Sequence, residues 1–269
     1  MRLSIAAVLL STGFAAFGSP VAFVADIQGA ATIEGNGALG FLAELAPGTR
    51  LLLGTKATAA ITYAASGTEY SIAGPGQFLV TAEEVTAERG PKPKRRTVAA
   101  LTDSQVVKQA AQTATASLRM RGIGTGAAAA TLLFPVSTRV SNLKPAMRWS
   151  AEPGEEYTLV ISDASGREVW KGRAKEGQVR TGTPLSAGTR YTWTVTSARG
   201  ALGEASFETL PAAEIKRAER SRAAARSFPE RVVNALLLQE IGAQQEARDA
   251  WAELAKERPD LPELPALAR

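Results

Sequence analysis

The sequence predicts a mainly β, multidomain protein with a helical C-terminal end, and three observations carry that expectation. Two long stretches alternate apolar and polar residues with period two and are punctuated by turn glycines. Between them, and again after Pro211, small and apolar residues recur at helical spacing instead. At 269 residues the chain is long enough for two or three small domains, each burying a core. The expected division is a signal peptide over 1–18, a β domain over 19–90, a basic linker and connector helix over 91–131, a β-sandwich over 132–210 and C-terminal helices over 211–269.

The opening "MRLSIAAVLLSTGFAAFGSPVAF" places Arg2 before an apolar run from Leu3 to Phe17, then small residues. That layout is expected of a secretory signal peptide, with Ala16-Phe17-Gly18 as an A-x-G cleavage site before Ser19. The apolar run is short for a membrane anchor and Pro20 follows it, so the mature protein is expected in the periplasm or the medium.

From Val21 to Val85 the pattern is β. "VAFVADIQGAATIEGNG" ends in an Asn36-Gly37 turn signal, and Pro47-Gly48 precedes the alternating Leu51 and Leu53. Ala59, Ile61 and Tyr63 share one face, Ser66-Gly67 turns the chain, and Tyr70 with Ile72 begin the return strand. The order V-x-D-I-x-G-x-A-T-I, then L-x-P-G-T-R-L-x-L-G, then A-x-A-x-I-x-Y resembles the FecR-type periplasmic domain over about residues 21–88. The resemblance implies a domain used in envelope sensing. Members that relay a signal to a sigma factor carry a cytoplasmic segment and a mid-chain membrane helix, which this sequence does not display.

Charge is placed unevenly. Residues 19–90 hold three basic and seven acidic side chains, whereas 91–148 hold ten basic and one acidic. Lys92, Lys94, Arg95 and Arg96 nearly adjoin, and "TDSQVVKQAAQTATASLRMRG" reads as a connector helix capped by Thr102 or Asp103. Arg119 and Arg121 close it where the helix dipole favours cations, and Gly122 ends it. These six cations form the candidate electrostatic contact. Its expected targets are an anionic membrane surface, an acidic envelope protein or the chain's own acidic N-terminal domain; nucleic acid is the wrong partner for an exported protein. Gly124-x-Gly126-x-x-Ala129 has the spacing of a dinucleotide fingerprint, but that motif needs a strand before it and a helix after it. Here a helix precedes and Pro135 follows, so the glycines read as a helix stop.

From Leu132 to Leu210 alternation returns. Tyr157, Leu159 and Ile161 share a face, and Ser165-Gly166 turns before Val169 and Trp170. Leu185, Thr189 and Tyr191 then reproduce an L-x-x-x-T-x-Y, followed by Trp193 and Val195. With Trp149 on an early strand, this resembles a fibronectin type III sandwich. The resemblance implies a tyrosine corner, with the Tyr191 ring in the core and its hydroxyl reaching backbone upstream. The aromatics read as core; an exposed Trp170 would be the candidate for a sugar-binding platform.

After Pro211, "AAEIKRAERSRAAARSF" is helical, and its Lys216, Arg217, Arg220 and Arg226, interleaved with Glu214 and Glu219, read as a solvated face. Beyond it, Ala235, Leu238, Gly242, Ala247, Trp251, Leu254 and Pro259 fall in a pattern that resembles one tetratricopeptide repeat starting at Phe228. Arg231 stands where that repeat carries Trp. Such repeats need about three copies to bury their faces, so one copy must borrow surface, most simply from the helix before it. Trp251 is expected to pack within its own hairpin.

The chain has no cysteine and no histidine. Disulfides, thiolate chemistry and the commonest general base and metal ligand are thereby absent. Catalysis would rest on carboxylates such as Glu83-Glu84 or Glu155-Glu156; in a strand the adjacent members would point to opposite faces, and both pairs read as turn or surface charges. No nucleophile elbow, phosphate loop or acidic metal cluster is present in the sequence. No catalytic, cofactor-binding or metal-binding residue is therefore assigned, and no cofactor is expected. The leading expectation is a non-enzymatic binding or scaffold protein of the bacterial cell envelope, acting through protein–protein contacts. The alternative is binding to cell-wall or surface polysaccharide; envelope signalling to a sigma factor ranks third.

Overall fold

The computed structural model describes residues 19–63, 65–98 and 132–269. The expected signal peptide, the expected connector helix with Arg119 and Arg121, and the glycines from Gly122 to Gly126 lie outside these residues. The fold is mainly β, with several antiparallel sheets and a C-terminal helical region.

Ten strands build the first β unit: β1 (Ala22–Gln28), β2 (Ala31–Ile33), β3 (Gly37–Ala38), β4 (Glu44–Leu45), β5 (Arg50–Leu53), β6 (Thr58–Tyr63), β7 (Thr68–Ala73), β8 (Gly76–Val80), β9 (Val85–Arg89) and β10 (Lys94–Thr97). They form two five-stranded sheets, ordered β10-β7-β6-β1-β4 and β3-β2-β5-β8-β9. The turns fall where the sequence places them. Gly48 supplies φ +90° before β5, a conformation L side chains rarely adopt, and Leu51 and Leu53 point inward while Leu52 is exposed. One expectation is corrected. Residues 94–97 do not belong to a linker; they pair with β7 in the register Arg95↔Tyr70 and Arg96↔Glu69, so the domain extends past residue 90. An edge strand of basic residues is a usual protection against stray strand pairing.

The middle of the first sheet is buried on both faces: from Ala59 to Tyr63 every residue of β6 is buried, the nominally outward Ala60 and Thr62 included. One face packs on the second sheet and the other is covered by the C-terminal helices, which is why alternation alone under-read this strand.

The second β unit comprises β11 (Leu132–Phe134), β12 (Thr138–Val140), β13 (Ala146–Trp149), β14 (Tyr157–Asp163), β15 (Glu168–Ala174), β16 (Gln178–Arg180), β17 (Arg190–Ser197) and β18 (Gly200–Thr209). A three-stranded sheet, β11-β13-β16, faces a five-stranded one, β12-β18-β17-β14-β15; β12 runs parallel to β18 and the other pairs are antiparallel. Between them lie Trp149, Tyr157, Leu159, Ile161, Tyr191, Trp193, Val195 and Phe207. The Ser186 N–H donates to the Tyr191 hydroxyl at 2.9 Å, five residues upstream, while the ring packs beside Phe207. Trp193 donates its indole N–H to the Pro135 carbonyl at 2.8 Å. Trp170 is half-buried, its ring laid so close over Gly172 that a Cβ there would meet it at 2.3 Å.

Four helices follow: α1 (Ala212–Ala224), α2 (Phe228–Glu240), α3 (Gln244–Glu257) and the short α4 (Leu264–Leu267). Glu230 caps α2 by accepting from the Ser227 N–H at 2.7 Å, and Pro229 sits in the first turn. Gly242, at φ +85°, ends α2 and reverses the chain into α3. As expected, α1 lends surface, with Ile215 and Ala218 against Leu237, Leu238 and Ile241. Two expectations change. Trp251 does not pack only within its hairpin: fully enclosed, it meets Phe41 of the first β unit edge-on at 6.5 Å, and Phe228 lies 6.2 Å from the same ring. The α1 cations are also not all solvated, since Arg217 pairs with Glu240 at 2.8 Å and Arg222 donates to the Ser141 hydroxyl.

Candidate functional site

Strand alternation divides the predicted basic cluster. In β10, Lys94 and Arg96 project to one face and Arg95 to the other. Arg96, still partly exposed, reaches across to the helices: its guanidinium donates twice to Glu69, both bonds at 2.8 Å, once to Glu230 at 3.0 Å and once to the Ser227 hydroxyl at 2.7 Å. Glu69 is only 2% exposed, so this cation is already spent on a carboxylate of its own sheet and on the first turn of α2. Lys92, Lys94 and Arg95 are exposed and make no ion pair among the described residues. The structure thus brings three of the six predicted cations to one edge, assigns the fourth to an internal seam, and leaves Arg119 and Arg121 outside the described residues.

That seam is one of several through which the helices hold both β units. Toward the first unit, Arg258 pairs with Asp26, donates to the Ile27 carbonyl at 2.8 Å and stacks over Phe228. Its pKa is raised by hydrogen bonding to Asp260, with burial opposing and Asp26 adding to the rise. Toward the second unit, Gln245 accepts from the Val136 N–H at 2.8 Å and donates to the Leu133 carbonyl at 2.9 Å. Glu246 accepts from the Ser141 N–H at 3.0 Å, and Arg148 meets Asp249 at 2.8 Å. Burial works against the ionised form of Glu230, yet hydrogen bonds from Ser227 and Arg226 and the charge of Arg96 outweigh it and hold the carboxyl below its ordinary range. The helical segment is therefore the part of the chain that joins the two β units.

A second feature had no counterpart in the sequence reading. At one end of the first β unit lies a cleft of about 980 Å³, with Tyr63 and Tyr70 at its floor and Glu44, Glu83, Glu84 and Arg95 around it. Tyr70 lies opposite Ile61 in the ladder, hence diagonal to Tyr63 on the same face, and the rings meet at 5.6 Å and 73°. The Tyr63 hydroxyl donates to the Glu84 carbonyl at 2.6 Å and lies 3.0 Å from that of Thr81. It therefore pins the turn that carries Glu83 and Glu84, and burial lifts its pKa above the usual phenol range. Burial likewise raises Glu44. The signal was present as a hairpin with a tyrosine on each strand, followed by an acidic pair; only the fold shows that the later turn closes over the hairpin.

The other acidic pair is dispersed. Glu155 accepts from the Tyr157 hydroxyl at 3.3 Å and faces Arg199 at 3.7 Å. Among the described residues no group of three or more side chains is arranged to hold a metal ion, and no helix is long and apolar enough to cross a membrane.

No protein-family model and no curated protein matches this chain. Among solved structures, the crystal structure of CopC from Methylosinus trichosporium OB3b is similar over 30% of this chain and 93% of that one, at 20% identity and a TM-score of 0.23. A likeness of that extent assigns neither architecture nor activity.

Proposed function

We propose that this chain is a non-enzymatic, exported binding or scaffold protein of the bacterial cell envelope that acts through protein–protein contacts. In this reading a FecR-like β domain and a fibronectin type III-like sandwich are held by a tetratricopeptide-like hairpin. The observation that carries it is the helical segment seated on both β units, through the Arg96–Glu69–Glu230 and Arg258–Asp26 contacts on one side and Gln245 and Glu246 on the other. Charged side chains committed to fixing one unit against another suit a platform that presents surfaces. The bond from Ser186 to Tyr191 supports the sandwich assignment, and the Arg2-led apolar run supports export.

The test places a photo-crosslinking residue in turn at the exposed Lys94, Lys171 and Glu253 in growing cells. Discrete protein adducts in the periplasmic fraction are expected. An intact Met1–Gly18 segment in the cytosolic fraction would overturn export. Retention on purified peptidoglycan without any protein adduct would replace the scaffold reading with the polysaccharide one.

A further inference from the structure

We infer that the cleft beside Tyr70 binds a basic peptide segment of a partner protein, taking a lysine ammonium or arginine guanidinium between its carboxylates. The inference deepens the binding reading above and depends on it. Tyr70 is 5% exposed and lines the cleft, yet its hydroxyl makes no hydrogen bond with any described residue. The oxygen itself is reached by solvent, so a ligand entering the cleft can bond it in place of water. Around it, Glu44, Glu83 and Glu84 form no ion pair among the described residues.

The chemistry selects the ligand's sign. Ammonium and guanidinium groups carry only donors, and the cleft offers them three exposed carboxylates as acceptors beside hydroxyls, that of Tyr70 included, that can accept as well as donate. The two tyrosine rings add attraction for a cation and for the methylene stem behind it. An anion would face three carboxylates, and a wholly apolar ligand would strip them of water without replacing it. Among the described residues no three carboxylates converge as a metal ion would require. The volume, about 980 Å³, exceeds one side chain and admits neighbouring residues of a segment. Arg95 is the one cationic side chain among the described lining residues, and cleavage before Ser19, which also lines the cleft, would add an α-ammonium there.

The whole chain carries a net charge of +5, so a polycation is repelled by the molecule at large and gains only from a local acidic site. That makes the titration discriminating. Calorimetric titration of the purified full chain with tetralysine, and with tetraglutamate as control, is expected to show saturable one-site binding of tetralysine alone. Tyr70→Phe keeps the ring and removes the hydroxyl, and should weaken binding about tenfold, as expected for loss of a hydrogen bond to a charged group. The pair Glu83→Gln and Glu84→Gln should weaken it at least as much. Arg95→Ser, an exposed change that does not threaten folding, should tighten it, a sign that general damage cannot produce.

No binding of tetralysine at low salt, or affinities equal across these variants, would overturn the proposal. So would binding that emerges only after Arg119→Ser and Arg121→Ser, because the chain's own cations would then be the occupant. Failure here alongside adducts at Lys94, Lys171 or Glu253 removes the cleft and leaves the scaffold reading standing.

Discussion

Arg96 offers the sharpest test of the architecture, because the neighbouring cations in sequence provide its controls. Arg96→Ala removes four donated hydrogen bonds and leaves Glu69, 2% exposed, without its counter-charge. Breaking a fully buried ion pair costs about 3–5 kcal/mol, since the remaining charge is stranded. Arg96 is itself 39% exposed, so water enters the vacated space and screens part of that penalty. The expected loss is therefore roughly 2–3 kcal/mol, between the cost of an unsatisfied polar group and that of a stranded charge. Lys92→Ser, Lys94→Ser and Arg95→Ser touch no partner and should each stay within about 0.5 kcal/mol of wild type. The assay is urea unfolding followed by tryptophan fluorescence. Glu69→Gln added to Arg96→Ala should recover part of the loss, because an amide is cheaper to bury than a carboxylate. Four cation variants that all behave alike would refute the seam and return residues 91–98 to being a solvated linker.

Other expectations follow from the same contacts. Tyr191→Phe leaves the Ser186 N–H without its acceptor and should cost about 1–3 kcal/mol; Leu185→Ala should cost about 2–5 kcal/mol. Unchanged unfolding midpoints would dismiss the corner. Trp251→Ala empties a fully buried site against Phe41 and should cost about 3–5 kcal/mol. A 211–269 fragment should show weak helicity alone, because the face carrying Phe228 and Trp251 is completed by the first β unit; full helicity of the isolated fragment would contradict that packing. Glu230 is held below its ordinary pKa, so the folded state binds fewer protons there than the unfolded state. Its contribution is complete above the ordinary glutamate value of about 4.3 and is lost as pH falls through the lowered folded value. Glu230→Gln should therefore differ from wild type near neutrality and converge with it in acid; a pH-independent difference would sink the assignment.

What the sequence determined by itself is local. Turn residues have a backbone requirement that is independent of context, so Gly48 and Gly242 announce the ends of their elements wherever these pack. Period-two alternation marks which residues of β14 and β17 face a core, and the spacing of Leu185, Thr189 and Tyr191 carries the corner because its two partners are five residues apart. Tertiary structure decided everything that depends on what covers a surface. Arg96 and Glu230 are 134 residues apart, and Arg258 and Asp26 are 232 apart; no period reports such pairs. A run of cations reads alike in a linker and in an edge strand, and only the pairing with β7 turns one of them toward the helices. Trp251 announced a buried ring but not its neighbour, because hydrophobicity is non-directional: it demands removal from water and leaves the covering surface unspecified. The cleft belongs to this second kind. Its tyrosines and carboxylates lie in separate turns and strands, and they become a site only when the sheet's diagonal and the Tyr63 hydroxyl draw them to one place.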